Sequence, residues 1–393
     1  MFSCVICKTA LKSIFSLGLQ PLANKYPKST DDFDREIVRE MTVYYCDKCS
    51  YVNLPCDVDR SVFFEDYYYL SSVNQELVNH FEDLADHIKR GGFRFVVDVG
   101  SNDGVLLKPL QSREVKCIGV DPSENVSKIA NRAGLETVVG FFDASTASAI
   151  EALHGKPDLI CASSVFTHLE DPREFFATAN NLLAKNGEII VEVEYLGSII
   201  ESLGFERFYF DRPHYYSINS LSLLAEQSDF VLNDVSHIKA HGGSIRATFG
   251  RKGEKYASRA TTEAIISERE FLKRDFILKR FYDFKSACAD FLENLDRLSK
   301  QGIRIAAYGC PARFSTITNF AGIGTNRLPY VVDDSPLKQH RFSPGKHIPI
   351  LPFSESEATD IFIVFSYEYI QSIKNKVDSK VIKYFKPIPF QPI

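Results

Sequence analysis

Phe95-Val96-Val97-Asp98-Val99-Gly100-Ser101-Asn102-Asp103-Gly104-Val105-Leu106-Leu107 decides the fold of this chain. A largely apolar, β-branched run enters a polar turn bracketed by Gly100 and Gly104, and apolar residues then resume at helical spacing. That is the pattern of a buried parallel strand, a tight loop and the start of a helix. Ligands in open α/β sheets bind at the carboxyl ends of strands, so the turn is a candidate site. A dinucleotide fingerprint needs glycines at the first, third and sixth positions of such a loop. Here those positions hold Gly100, Asn102 and Val105, and no Gly-Lys-Ser/Thr of a P-loop follows. What remains is Asp98 on the strand and, about 20 residues on, Asp121 at the end of a second strand, 115–120. A carboxylate at Asp121 accepts the two hydroxyls of a ribose, and Asp98 faces an ammonium group directly or through water. Ribose plus ammonium without pyrophosphate describes S-adenosylmethionine (SAM). The plainer alternative is that the two aspartates merely cap a strand-turn-helix unit.

The chain has 393 residues, enough for two or three domains. It is 45% hydrophobic and 25% charged, the balance of an ordinary globular protein. A net charge of −5 gives no basic footprint for nucleic acid. No apolar run reaches the roughly 18 residues of a membrane span. Met1-Phe2-Ser3-Cys4 lacks the basic and apolar regions of a secretory leader, so the expected location is cytoplasmic. In that compartment nine cysteines point to thiols or metal ligands rather than disulfides.

Cys4 and Cys7 form one C-x-x-C, and Cys46 and Cys49 form another. Two such pairs fill a tetrahedral zinc shell with four thiolates. A shell closed by four cysteines leaves no place for water, so the zinc is expected to be structural. The long spacer between the pairs requires a small subdomain of its own. Cys56 breaks the pairing and reads as a core thiol.

From 93 to about 195, strands and helices alternate: strands at 93–99, 115–120, 137–142, 157–162 and 187–194, with helices between, the doubly wound pattern. Residues 74–90 have helical spacing ahead of it. A charged, glycine-free helical stretch near 254–300 reads as a connector. Further strands at 303–309, 329–333 and 361–365 begin a second α/β unit. The expected architecture is α/β in three parts. Residues 1–65 form a four-cysteine zinc-binding module and 66–253 a Rossmann-like SAM-binding domain. Residues 254–393 form the connector helix and a second Rossmann-like domain.

With these pieces in place, the chain resembles the SAM-dependent sugar C-methyltransferases of deoxysugar biosynthesis. The resemblance covers nearly the whole chain and rests on several motifs in order. These are the paired cysteines, Gly100-Ser101-Asn102-Asp103-Gly104, Gly119-Val120-Asp121-Pro122-Ser123 and Val165-Phe166-Thr167-His168-Leu169. His241-Gly242-Gly243-Ser244-Ile245-Arg246, Tyr308-Gly309-Cys310-Pro311-Ala312-Arg313 and the tract from Val332 to Ile350 follow. The resemblance implies methylation of a ring carbon of a nucleotide-linked 4-keto sugar, with the carboxyl-terminal domain helping to bind the sugar nucleotide. It also implies a cofactor set of Asp98, Gly100, Asn102, Asp103, Asp121, Phe142 and Ser163. Phe142 packs on adenine or in the core.

One motif departs. The family carries Tyr-His-Glu-His where this chain has Tyr209-Phe210-Asp211-Arg212, followed by Pro213-His214. Arginine stays protonated, so Arg212 cannot be the base that the family's second histidine is proposed to be. His168 or His214 supplies the base, or Tyr209 does so as a phenolate favoured by the guanidinium. In a third reading Arg212 grips a substrate carboxylate or phosphate, and the reaction becomes O-methylation of an acidic sugar with His168 as base. Arg212 in a structural ion pair with Asp211 or another acid is the plainer alternative.

Substrate contacts are expected from Tyr67, Tyr69 and Ser71 in an aromatic stretch, from His241 beside Gly242-Gly243, and from Arg246, Arg313 and Lys338 toward a diphosphate. The partner is a nucleotide sugar, with neither nucleic acid nor membrane. A non-catalytic SAM- or sugar-nucleotide-binding relative is the rival from another class.

Overall fold

The computed structural model describes residues 2–64, 70–377 and 383–393. At the amino end β1 (Lys12–Pro21) and β2 (Val38–Cys46) pair antiparallel, and β3 (Tyr51–Asn53) adds beside β2. This hairpin is the subdomain that separates the two C-x-x-C pairs. Register shifts after Ser13 and Ser16 interrupt the alternation along β1, so Ile14, Phe15 and Leu17 are buried while Lys12 and Leu19 are exposed. α1 (Arg60–Phe64) closes the module.

α2 (Gln75–Arg90) starts where the Asn74 side chain accepts from the Glu76 and Leu77 amides, and it buries Leu77, Phe81, Leu84 and Ile88 at helical spacing. The doubly wound unit then runs β4 (Phe95–Val99), α3 (Leu107–Ser112), β5 (Lys116–Asp121), α4 (Glu124–Arg132), β6 (Thr137–Val139), α5 (Ala144–His154), β7 (Leu159–Ser163), α6 (Pro172–Leu182) and β8 (Glu188–Glu194). α7 (Leu196–Glu201), β9 (His214–Tyr215), α8 (Ile218–Glu226), β10 (Phe230–Ile238) and β11 (Ser244–Arg251) complete it. The sheet order is β10-β11-β8-β7-β4-β5-β6, parallel from β8 to β6 with β11 and β10 antiparallel at one edge. The chain leaves β4 for β5 on one side and later returns to β7 on the other. That switch point opens a crevice above the carboxyl end of β4. β9 instead joins the amino-terminal sheet, with Val52 opposite Tyr215 and Asn53 opposite His214.

The stretch read as a connector is two helices, α9 (Arg259–Phe271) and α10 (Arg274–Lys300). α9 packs on α8 and β10. α10 buries Ile277, Phe281, Phe284, Cys288, Phe291, Leu295 and Leu298, an apolar stripe at spacings of three and four. After it come β12 (Ile305–Tyr308), α11 (Ala312–Ala321), β13 (Val331–Val332), β14 (Arg341–Phe342), β15 (Pro349–Leu351), β16 (Ile361–Val364), α12 (Ile370–Lys376), β17 (Lys383–Lys386) and β18 (Gln391–Pro392). Their sheet order is β14-β15-β13-β12-β16-β17-β18, parallel except at its edges.

The three parts share one core. Phe15 of β1 stacks on Phe281 of α10 at 4.4 Å and meets Phe205 and Phe208 edge-on. The same cluster continues to Phe314 of α11 and Ile363 of β16. Among the described residues no helix is long and apolar enough to cross a membrane.

Candidate active site

The four Sγ atoms of Cys4, Cys7, Cys46 and Cys49 lie within 4.8 Å of one another. Cys4 and Cys49 are 4.0 Å apart and Cys7 and Cys46 are 3.5 Å apart. A tetrahedral zinc with bonds of about 2.3 Å places its sulfurs about 3.8 Å apart, so the donor set fits that ion. Hydrogen bonds from Cys46 and Cys49 outweigh burial and pull the Cys4 thiol down to about 4. The cluster therefore holds a thiolate ready for metal.

A cavity of about 820 Å³ runs between the two α/β sheets, from the carboxyl ends of β4 and β5 to the carboxyl end of β12. At the first end Gly100 sits at φ +76°, and a Cβ there would lie 2.6 Å from Val165. Only glycine makes this turn. Asp121 accepts the Asn102 amide at 2.9 Å and the Ser123 amide at 2.8 Å, which fixes its carboxylate on the cavity wall. Asp98 is also buried on that wall. Burial pushes both carboxyls up, and the charge of Asp121 pushes Asp98 further. Two crowded buried acids favour a ligand that brings a positive charge and hydroxyl donors. SAM carries both, so the residues fit it.

Asn102, Gly100, Phe142, Ser163 and Ser71 all face the same cavity. Ser71 donates its amide to Asn102 Oδ1 at 3.1 Å. Asp103 is turned off the cavity and accepts from the Ser72 amide and hydroxyl. It holds the approach to α2 rather than a cofactor. Phe142 leans on Phe175 at 5.3 Å. Tyr67 and Tyr69 lie outside the described residues.

His168 lies on the cavity wall, after β7. Its Nδ1 is 2.7 Å from the Asp211 carbonyl, which only accepts, so Nδ1 carries the proton. Nε2 is then a bare acceptor, and the Arg212 Nε–H points to it at 3.3 Å. Burial, then Arg212 and Arg60, hold the imidazole well below its usual range, and it stays neutral. Arg212 donates its Nη1 to Glu194 Oε1 and covers the Tyr209 ring at 4.7 Å. Burial raises the Glu194 carboxyl, but Arg212 and Arg207 outweigh it and hold it down at about 2.

Four expectations change here. Arg212 is committed to Glu194, so its guanidinium is not an open fork for a substrate carboxylate. Tyr209 is buried, and burial drives its phenol well above 10.0 against the pull of Arg212, so it is no base. His214 is turned off the cavity wall, with Nδ1 on the Tyr51 hydroxyl and Nε2 3.3 Å from the Glu170 carbonyl. Arg246 is bound to buried Glu192 at 2.7 Å, away from the cavity. Asp211, by contrast, lies on the cavity wall beside His168.

The far end repeats the strand–glycine–helix plan. Gly309 at φ +83° would place a Cβ 2.3 Å from Ser366 Oγ. Arg313, Lys338 and His241 face the cavity. Arg313 pairs with Glu368 at 2.6 Å, and Arg207 joins the same carboxylate at 3.2 Å. Lys338 donates to the Cys310 carbonyl at 3.1 Å and lies 3.5 Å from Asp333. Glu192, Glu194, Arg207, Glu368, Asn24 and Arg60 escaped the reading of the sequence. For the first two a signal existed: with Glu188 they put three acids on one face of an otherwise apolar strand, Glu188–Glu194.

Three family descriptions tile the chain. One described as a zinc binding domain matches residues 4–64, a methyltransferase domain matches 69–235, and a C-methyltransferase C-terminal domain matches 239–389. The C-methyltransferase NovU of Streptomyces niveus is 28% identical over 371 residues, covering 92% of this chain and 88% of that protein. A ubiquinone biosynthesis O-methyltransferase of Caulobacter sp. (strain K31) is 31% identical over 127 residues, 31% of this chain and 49% of that protein. Among solved structures, the PH0226 protein of Pyrococcus horikoshii OT3 superimposes with a TM-score of 0.38 at 18% identity, over 47% of this chain and 95% of that one.

Proposed function

We propose that this chain, whose three matched domains are described as zinc binding, methyltransferase and C-methyltransferase C-terminal, uses SAM to methylate a carbon of a nucleotide-activated keto sugar. The observation that carries the reading is the single cavity that joins the Asp98–Asp121 end to the Arg313–Lys338 end. In this reading residues 66–253 hold the methyl donor and 254–393 the nucleotide, in the cytoplasm. SAM supplies an activated methyl group. Asp98 and Asp121 hold its charged and ribose ends. The nucleotide lies at the end lined by Arg313 and Lys338.

His168 Nε2 takes the proton from the carbon beside the ketone. It is neutral and therefore able to accept one. Arg212 keeps its charge and stands beside Nε2, where it stabilises negative charge that develops on the carbonyl oxygen. Arginine thus replaces the family's base with an electrostatic role, while the base moves to His168. Pairing of Arg212 with Glu194 removes the ground for an acidic substrate.

The test is incubation with SAM and a panel of dTDP-, GDP- and UDP-linked 4-keto-6-deoxy sugars, read by mass spectrometry and NMR. The expected product gains one methylene in mass and carries the new methyl on a ring carbon. SAM binding without any methylated product across the panel would reject the reading in favour of a non-catalytic binding protein.

A further inference from the structure

The two loops that meet at the reacting end of the cavity come from distant parts of the chain. One holds His168 in the turn Phe166–His168, and the other holds Asp211 and Arg212 after the turn Phe205–Arg207. They touch through His168 Nδ1 on the Asp211 carbonyl and Arg212 Nε on His168 Nε2. Neither contact alone fixes the spacing of two irregular loops.

Two residues of the amino-terminal module reach into this junction. Arg60 Nη2 donates to the main-chain carbonyl of His168 and, at 3.5 Å, to that of Asp211. Its guanidinium is flanked by the rings of Phe63 and Phe64 at 5.4 and 5.5 Å, which holds it in place. Asn24, in the loop after β1, donates its side-chain amide to Asp211 Oδ2 at 3.0 Å. Both residues lie on the cavity wall. The downstream end of the second loop is tied to the same module. Leu54 and the Asn53 side chain donate to the Pro213 carbonyl at 2.8 and 3.0 Å. Ser217 Oγ and Asn219 Nδ2 reach the carbonyl of Cys49, a residue of the metal cluster.

We propose that Asn24 and Arg60 are positioning residues: they clamp the loops of His168 and Arg212, so that the zinc-binding module assembles the reacting end of the site and is not merely an appended fold. The proposal rests on the functional reading only for the identity of the base. Misplacing a reacting group by about 1 Å costs about 10² in rate. Donor binding at Asp98 and Asp121 is carried by another part of the molecule and is left alone.

Hydrogen exchange and kinetics on the full, zinc-loaded chain test it. Arg60→Ala and Asn24→Ala are expected to speed amide exchange at 166–169 and 209–212, leaving 98–105 unchanged and the affinity for S-adenosylhomocysteine within twofold. With a sugar nucleotide that the wild type methylates, kcat falls about 10- to 100-fold and KM for SAM holds. Arg60→Lys, which keeps a charged donor group but not the planar fork, recovers part of kcat. Unchanged exchange at both loops overturns the proposal. So does faster exchange spread over the whole module with loss of zinc, which marks a merely structural role. The exchange measurement needs no acceptor, so it judges the clamp even where no sugar is methylated and the functional reading falls.

Discussion

His168 is poised by what surrounds it rather than by its own chemistry. A neutral imidazole with its proton pinned on Nδ1 leaves Nε2 as its acceptor beside the Arg212 Nε–H, and burial, then two nearby guanidinium groups, keep it unprotonated. His168→Ala is expected to lower kcat by about 10²–10⁴ with little change in SAM affinity. Near-normal turnover in that variant would clear it of proton transfer. In the wild type the acid limb of kcat/KM is expected well below pH 6.5, since the base form persists there. Arg212 and Glu194 are about 11% and 8% exposed at their side chains, so each depends on the other. Arg212→Met leaves buried Glu194 only the more distant Arg207, at 3.9 Å, and should cost about 3 kcal/mol in urea unfolding. Adding Glu194→Gln should recover much of that loss, and equal stability of single and double variants would refute the pairing. At this scale the sequence exposed the charged partner that had to be explained, Arg212, because it breaks a motif. It hid the answer, because Glu194 lies on another strand and only the fold brings them together.

The strand–loop–helix at 95–107 was legible because its pattern is local: apolar run, polar turn, glycines. Glycines in this domain do different work, and the difference is testable. A Cβ placed on Gly134, at φ +78°, would have nothing within 4 Å, whereas one on Gly100 would meet Val165. Gly134→Ala is expected to cost only backbone strain, about 1 kcal/mol, with SAM affinity unchanged by calorimetry. Gly100→Ala carries the same strain plus a clash, so the loop must move and SAM affinity should fall at least tenfold. Equal affinities in the two variants would separate the loop from the donor site. Elements held by distant partners were not legible. β9 is two residues long and exists because β3 lies beside it. The apolar stripe of α10 stands in the sequence at spacings of three and four, yet a charged, glycine-free run reads as a connector until the core it fills is known.

Across the whole molecule, the shared aromatic core and the buried site make stability depend on histidines that must stay neutral. His214 is 4% exposed, and burial pulls it from 6.5 to about 4. His168 is shifted the same way. The sign follows from linkage. Below pH 6.5 the unfolded chain takes up protons that the folded chain refuses until about pH 4, so stability falls as pH falls through that window. For His214 alone the full loss is about 3 kcal/mol. Glu192 and Glu194, held at about 2 by their basic partners against burial, contribute stability that is lost only below 4.5. Asp98 and Asp121, pushed up by burial, act in the opposite sense and relieve part of the loss as they protonate. The difference between wild type and a His214→Asn variant isolates one group from this sum. The variant is expected to start less stable at pH 7.5, lacking the Tyr51 contact, and to lose less on the way to pH 5. Thermal unfolding monitored by circular dichroism across that range reads the two slopes. Parallel slopes would show that His214 does not keep its depressed proton affinity in the folded chain.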